Sequence, residues 1–425
     1  MSLIDQDTMA TIVEKIFSAH AGRPVKAGEL VMVEVDASLV QDMNGPSAIK
    51  NFESFAHSVK SPERHLFSLD HFSPSSSIQA ANAHRRTRKF VKKHGISHLV
   101  EEGHGIGHQC MVESGLVTPG SIVVGTDSHC CHYGVLNAFS AGIGAAEEAV
   151  VLASNKCWFK VPETIRVEFT GKMPDKVTSK DLVLVMVREL TQGGAIYQCL
   201  EFGGDTLAEL SIDDRSAICN MAVEAGAKGG IMPWDDVLKQ WISGRGWEMP
   251  EGVAPDPDAV YARKLVIDVS GLEPVVAVPP DIDHVVPVSS VKNQKVHEVV
   301  IGGCTNGRYT DFAQAAAVLK GKKVPQRVRL VIAPGSREIA ERMLDTGVYA
   351  DLLNAGAIIL PPCCGPCTAI TGGLVGDNEV VLATGNRNMP GRMGSQKGKV
   401  FIASPITAAC TALAGFITAE EQRQC

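Results

Sequence analysis

Val296-His-Glu-Val-Val-Ile301 followed by Gly302-Gly-Cys-Thr-Asn-Gly307 and by the run from Tyr309 to Leu319 decides the fold class of this chain. The first stretch is rich in β-branched residues and predicts a buried strand; the glycines predict a tight turn; the third recurs with helical period. A strand turning directly into a helix is the unit of an α/β sheet. Cys304 therefore sits just past the C-terminal end of a strand, which is where open α/β sheets place their ligands.

The same pattern extends outward. Apolar runs at Val328 to Ile332, Ala357 to Leu360, Val380 to Leu382 and Val400 to Ile402 predict further strands on the C-terminal side. Toward the N-terminus, Ser121-Ile-Val-Val-Gly125 leads into Thr126-Asp-Ser-His129, a strand opening into a polar loop, and Gly134 to Ala153 suits a helix packed closely on a sheet. A chain of 425 residues exceeds what one hydrophobic core organises. Three α/β domains are expected, at 1–162, 163–283 and 284–425, with Pro274, Pro279 and Pro280 marking a linker before the third. The sequence shows no internal repeat.

Composition narrows the function. A formal net charge of -7 and a pI near 6.0 argue against a nucleic-acid or anionic-membrane surface. No run approaches the roughly 18 apolar residues of a membrane span and no stretch reads as a secretory signal, so a cytoplasmic location is expected. Twelve irregularly placed cysteines in such a chain are not a disulfide framework; some are expected to be ligands.

Cys304, Cys364 and Cys367 occupy turns after strand-like runs, the last two in Pro-Cys-Cys-Gly-Pro-Cys. Cys-x-x-Cys alone also serves zinc sites and redox dithiols. Three thiolates on a four-iron cube would leave one iron open, a Lewis acid able to hold a hydroxyl and a carboxylate together. The competing reading is a zinc site completed by Cys363, Cys410 or a histidine. Cys363 itself reads as a packing residue.

Asp70 with His71, and Asp127 with His129, each set a carboxylate beside an imidazole, the pairing that tunes a general acid. His104 and His108 lie among glycines, where a ligand can approach closely. Asn386-Arg-Asn-Met-Pro-Gly-Arg392 follows a strand and offers two guanidinium forks that match carboxylates.

Thr126-Asp-Ser-His129, Gly303-Cys-Thr-Asn-Gly-Arg308, Cys364-Gly-Pro-Cys367 and Asn386-Arg-Asn-x-x-Gly-Arg392 stand in the order and approximate spacing found in the aconitase superfamily. The chain resembles that superfamily along essentially its whole length, and within it the large subunits of the isopropylmalate dehydratase type. The resemblance implies three α/β domains around a central cleft that holds a [4Fe-4S] cluster on Cys304, Cys364 and Cys367, with one iron lacking a protein ligand. It implies that Asn220, Asn306 and Asn386 surround the cluster. Asp70 and His71 would protonate the departing hydroxyl, and His108, Asp127, His129 and Glu224 would line the open iron. Gln41, Ser128, Arg387 and Arg392 would bind substrate.

The implied activity is that of a hydro-lyase which dehydrates and rehydrates a malate-type hydroxy-acid, with 3-isopropylmalate in leucine biosynthesis expected first. Homoaconitase, 2,3-dimethylmalate dehydratase and maleate hydratase large subunits are the alternatives. Cys130 and His132 in place of threonines, Met389 in place of phenylalanine and Cys363 in place of glycine depart from the commoner pattern. After Val400 to Ile417 only eight residues remain, so the further swivelling domain of single-chain relatives is expected on a separate small subunit, in a heterodimer or heterotetramer. The reading from another class is a cluster-bearing regulatory protein that binds RNA, against which the acidic balance counts.

Overall fold

The computed structural model describes residues 9–291 and 293–420. Its first sheet has five parallel strands in the spatial order His98–Val100, His65–Ser68, Ala37–Gln41, Ile122–Gly125, Phe139–Gly142. Numbered along the chain, that order is third, second, first, fourth, fifth. The strands are covered on both faces, as parallel sheets require. On one side Val40 and Phe67 pack with Ala48, Ile49, Phe52, Phe90, Ala149 and Leu152 from the helices Gly45–Glu53, Ile78–His94 and Ala145–Ser154. On the other, Leu39, Leu66 and Val123 meet Met111 of the helix Gly107–Glu113 and Tyr133 of the 3-10 turns Ser128–Leu136.

A second sheet of four parallel strands runs Gly229–Ile231, Cys199–Gly203, Thr164–Thr170, Arg263–Asp268. The third has seven strands, and five of them, Ile358–Ile359, Arg329–Ala333, Glu298–Gly302, Val380–Ala383 and Lys399–Ala403, are parallel. Their chain order is again third, second, first, fourth, fifth, so two parallel sheets share one winding that no sequence repeat announces. Two antiparallel strands, Val275–Ala277 and Val285–Pro287, complete this sheet beside Lys399–Ala403. The Pro-rich stretch expected as a linker carries the strand Val275–Ala277, which pairs into the third sheet. Pro274, Pro279 and Pro280 flank that strand instead of interrupting its hydrogen bonds.

The stretch that decided the fold behaves as its residues dictate. Val299 and Ile301 are fully buried, each contributing about 1.5–3 kcal/mol. The strand then ends at Gly302, whose φ of +138° only glycine adopts readily and whose added Cβ would lie 2.1 Å from the Ala333 carbonyl oxygen. That close approach turns the chain over the neighbouring strand and throws Cys304 up at the sheet's C-terminal edge. No described helix is long and apolar enough to cross a membrane.

Candidate active site

In a sheet wound third, second, first, fourth, fifth, the crevice opens between the first and fourth strands, where the connections depart to opposite sides. In the first sheet this places Gln41 beside Thr126 to His129; in the third it places Cys304 beside Asn386 and Arg387. The loops after the second and third strands add His71 and, from the third sheet, Cys364 and Cys367. These edges face each other. Gln41, His71, His108, Asp127, Ser128, His129, Cys304, Cys364, Cys367, Asn386, Arg387 and Arg392 line one cavity of about 310 Å³.

The remaining expected residues stand directly behind that wall. Asp70 Oδ1 lies 3.1 Å from His71 Nδ1 and accepts from Ser68 Oγ at 3.0 Å, while its Oδ2 accepts from the Gly107 N–H at 2.8 Å. Glu224 Oε1 lies 2.9 Å from both His129 Nε2 and Arg387 Nε. Asn220 Oδ1 is 3.8 Å from Cys304 Sγ and accepts from Thr305 Oγ1 at 2.7 Å. Asn306 turns away from the cavity and donates to Asp311 at 2.9 Å, with its own Oδ1 buried and unpaired. His104 is exposed and lines no part of the cavity.

Charge in this wall is fixed by pairing. Burial pushes the His71 imidazole down, but Asp70 and Asp42 beside it outweigh that and hold its pKa well above the ordinary 6.5. Burial likewise opposes ionisation of Asp127, yet hydrogen bonds from His108 and His129 hold its carboxyl well below the ordinary range. His108 Nε2 lies 3.0 Å from Asp127 Oδ1, and its other nitrogen lies 3.0 Å from the Tyr133 hydroxyl. His129 is raised, because Asp127 and Glu224 overcome its burial. Gln41 completes the group with its amide 3.3 Å from Asp127 Oδ2.

Asp42 is the residue that sequence reasoning missed here. It follows the first strand directly, accepts from the backbone N–H groups of His71 at 3.1 Å and Phe72 at 2.9 Å, and lies 3.3 Å from His71 Nδ1. Behind it stands His84, Nε2 3.0 Å away, whose other nitrogen is paired with Glu102. Position just past a strand end was the signal that could have found Asp42. His84 offered none, since it lies in a basic helix that reads as solvated.

The three cysteine sulfurs carry no disulfide, and amide and guanidinium groups lie against two of them. Asn386 Nδ2 lies 3.4 Å from Cys304 Sγ, and Arg392 Nη2 lies 3.4 Å from Cys367 Sγ. Arg392 thus leans on a cysteine, whereas Arg387 spans Glu224 and, at 3.2 Å, Ser128 Oγ. Arg392 Nε and Thr368 Oγ1 are buried without a partner beside this cage. Three converging thiols, cationic and amide donors aimed at the sulfurs, and orphaned polar atoms fit an anionic metal-sulfur group held by three ligands. Cys363 and Cys410 do not line the cavity; Cys410 lies on the buried face of the helix Pro405–Ala414, so neither stands as a fourth zinc ligand.

Comparison with known proteins places the chain in one family. The model of a family described as "Aconitase family (aconitate hydratase)" matches residues 14–295 and 289–415. The 3-isopropylmalate dehydratase large subunit 1 of Methanopyrus kandleri is 44% identical over 409 residues, spanning 96% of this chain and 98% of that protein. The large subunit 1 of Thermotoga maritima 3-isopropylmalate dehydratase is 42% identical over 412 residues, again spanning 96% and 98%. Among solved structures, the holo-form of Thermococcus kodakaraensis aconitase X covers 99% of this chain and 98% of its own at a TM-score of 0.52. At 12% identity that likeness is one of fold.

Proposed function

This chain belongs to the aconitase family of hydro-lyases, and we propose that it is the large subunit of a two-subunit dehydratase acting on 3-isopropylmalate or a close malate-type acid. The observation that carries the reading is the convergence of Cys304, Cys364 and Cys367 with His71, Asp127, His129 and Arg387 in one cavity. Cys304, Cys364 and Cys367 would hold a [4Fe-4S] cluster, which supplies a Lewis-acidic iron to polarise the substrate hydroxyl.

The chain's own residues supply the rest. His71 is held as imidazolium by two carboxylates on its Nδ1 side, leaving Nε2 to keep a proton on the cavity side. Transfer of that proton turns the departing hydroxyl into water, a contribution of roughly 10²- to 10⁴-fold. Asp127, paired with His108 and His129, holds negative charge and rigid geometry across from it. Arg387 is oriented by Glu224 and Ser128 so that its remaining N–H groups can take a substrate carboxylate.

The relatives named as large subunits support a small-subunit partner that completes the cavity and excludes water from it. Substrate choice falls to 3-isopropylmalate because relatives matching across nearly full length carry that name. Anaerobically purified chain should contain about four irons with sulfide, and should dehydrate 3-isopropylmalate, followed by alkene absorbance, only after the cognate small subunit is added. Stoichiometric zinc, or full turnover by this chain alone, would overturn the proposal.

A further inference from the structure

Lys180 has no part in the chemistry above, yet its placement is costly. It lies in the first turn of the helix Ser179–Leu190, where Thr178 and Asp181 form a reciprocal cap, and its side chain runs inward to complete burial. Its Nζ donates to the carbonyl oxygens of Thr384, at 3.1 Å, and Gly385, and meets Met221 Sδ at 3.2 Å. Among the described residues no carboxylate forms an ion pair with it. A buried ammonium without a counter-ion costs several kcal/mol.

Burial pushes Lys180 down to about 7, and the negative groups that pull it back up are Asp311, Cys304, Glu224 and Cys367. Asp311 is a weak counter-ion, since burial pushes its own carboxyl up to about 7 and its oxygens already accept from Asn306 and the Arg308 N–H. Glu224 is neutralised by His129 and Arg387. What remains is the cysteine cage, which would be anionic with the proposed cluster on it. The turn that Lys180 holds continues straight into Asn386, whose side chain touches Cys304 at 3.4 Å and Cys367 at 3.7 Å.

We propose that Lys180 is a positioning residue of the cysteine cage: it ties down the Thr384–Gly385 turn so that Asn386 is set against two cysteine sulfurs, and it provides the buried positive charge that an anionic cluster needs there. The inference rests on the cluster reading made above. Outer partners of a metal site of this kind typically govern affinity by 10- to 100-fold.

The test compares full-length wild type with Lys180→Met and Lys180→Gln, all reconstituted anaerobically with iron and sulfide. Iron release to a chelator should be about 10- to 100-fold faster in Lys180→Met. The cluster's reduction potential should move to more negative values in both variants, because each removes a nearby positive charge. Lys180→Gln keeps a donor for the Gly385 carbonyl and should recover part of the retention but none of the potential. If Lys180→Met does not fold, Lys180→Gln carries the test alone. Unchanged potential with full iron content in Lys180→Gln overturns the proposal, as does loss of cooperative melting in both cluster-free variants, which makes the lysine a general core residue. Wild type that binds no iron and sulfide overturns the cluster reading, and this inference with it.

Discussion

Asp42→Asn is the substitution that best isolates how this site holds its proton. The amide keeps the shape of the side chain, but its single oxygen can accept from only one of the backbone N–H groups of His71 and Phe72, which bond to different oxygens of Asp42, and it removes the charge lying 3.3 Å from His71 Nδ1 and 3.0 Å from His84 Nε2. At those separations and an effective dielectric near 20, each charge contact is worth at most about 5–6 kcal/mol. Asp70 remains on His71 and Glu102 on His84, so the cost should sit at the low end for a broken buried pair, about 3 kcal/mol. With an unfolding entropy of about 2.1 cal/mol/K per residue over a chain of this length, that lowers Tm by roughly 3–4 °C.

The pH dependence decides the mechanism. His71 and His84 are both raised above their ordinary value, so the stabilisation they give is fully present below about pH 6.5 and fades as pH rises through their folded values. Burial works against ionisation of Asp42, but its hydrogen bonds with the two imidazoles leave it lowered, so its own share is present above about pH 4 and lost only in strong acid. The difference in Tm between wild type and Asp42→Asn should therefore be largest between about pH 4.5 and 6.5, and should shrink toward pH 9. The alkaline limb of the pH–rate profile should also move to lower pH in the variant, since His71 would give up its proton more readily in solution. A Tm difference that stays constant from pH 5 to pH 9 would refute the reasoning, reducing Asp42 to a backbone acceptor for the turn.

The cysteines and the arginine separate by readout. Cys304→Ser, Cys364→Ser and Cys367→Ser should each abolish iron retention and activity, while Cys363→Ser, outside the cavity, should keep the brown chromophore; loss of iron in Cys363→Ser with retention in Cys364→Ser would reverse the ligand assignment. Arg387→Gln should raise KM for the hydroxy-acid by roughly 10-fold or more, equivalent to one charge-assisted hydrogen bond of about 1.5–3 kcal/mol, with iron content unchanged. Unchanged KM in that variant would remove Arg387 from carboxylate binding.

How much of this was legible in the sequence follows from how local each feature is. Cys304 and the Asn386–Arg387 pair lie directly after strands whose apolar runs are continuous, so position at a strand end exposed them. Glu224 and Asn220 came only through resemblance to a family, because each meets its partner across tens of residues of chain and neither follows a strand, whereas the glycines around His108 had marked it. Lys180 and His84 were invisible for a different reason. Both sit in helical segments carrying charged neighbours, Lys180 beside Asp181 and His84 within a run of arginines and lysines, and the pattern reads as a solvated face. Tertiary packing turns both inward, His84 onto Asp42 and Glu102 in the loops of its own sheet and Lys180 onto the Thr384 carbonyl of the third. The strand Val275–Ala277 did not stand out because prolines mark loops and strand flanks alike, and its pairing with a strand more than a hundred residues later leaves no local trace.

The shared winding of the first and third sheets explains why acid and metal ligands can be kept apart until they meet. Each sheet supplies a crevice at its own switch point, and each crevice carries a different chemistry: carboxylates and imidazoles on Gln41 to His71 and Thr126 to His129, sulfurs and guanidiniums on Cys304 to Arg392. A carboxylate-rich site built on one sheet alone would repel the thiolates it had to hold, since like charges in a dry cavity raise one another's pKa values. Dividing them lets each side neutralise its own charge first, Asp42 and Asp70 against His71 and His84, the cage against Arg392 and, on the inference above, Lys180. The two halves then face across about 310 Å³, a space that fits a small acid. Turnover in that arrangement depends on how the halves are held together; among the contacts that bridge them, Glu224 and Ser128 with Arg387 and the Cys364 N–H donated to the Asp70 carbonyl at 3.0 Å tie the histidine side of the cavity to the sulfurs and the carboxylate-binding arginine.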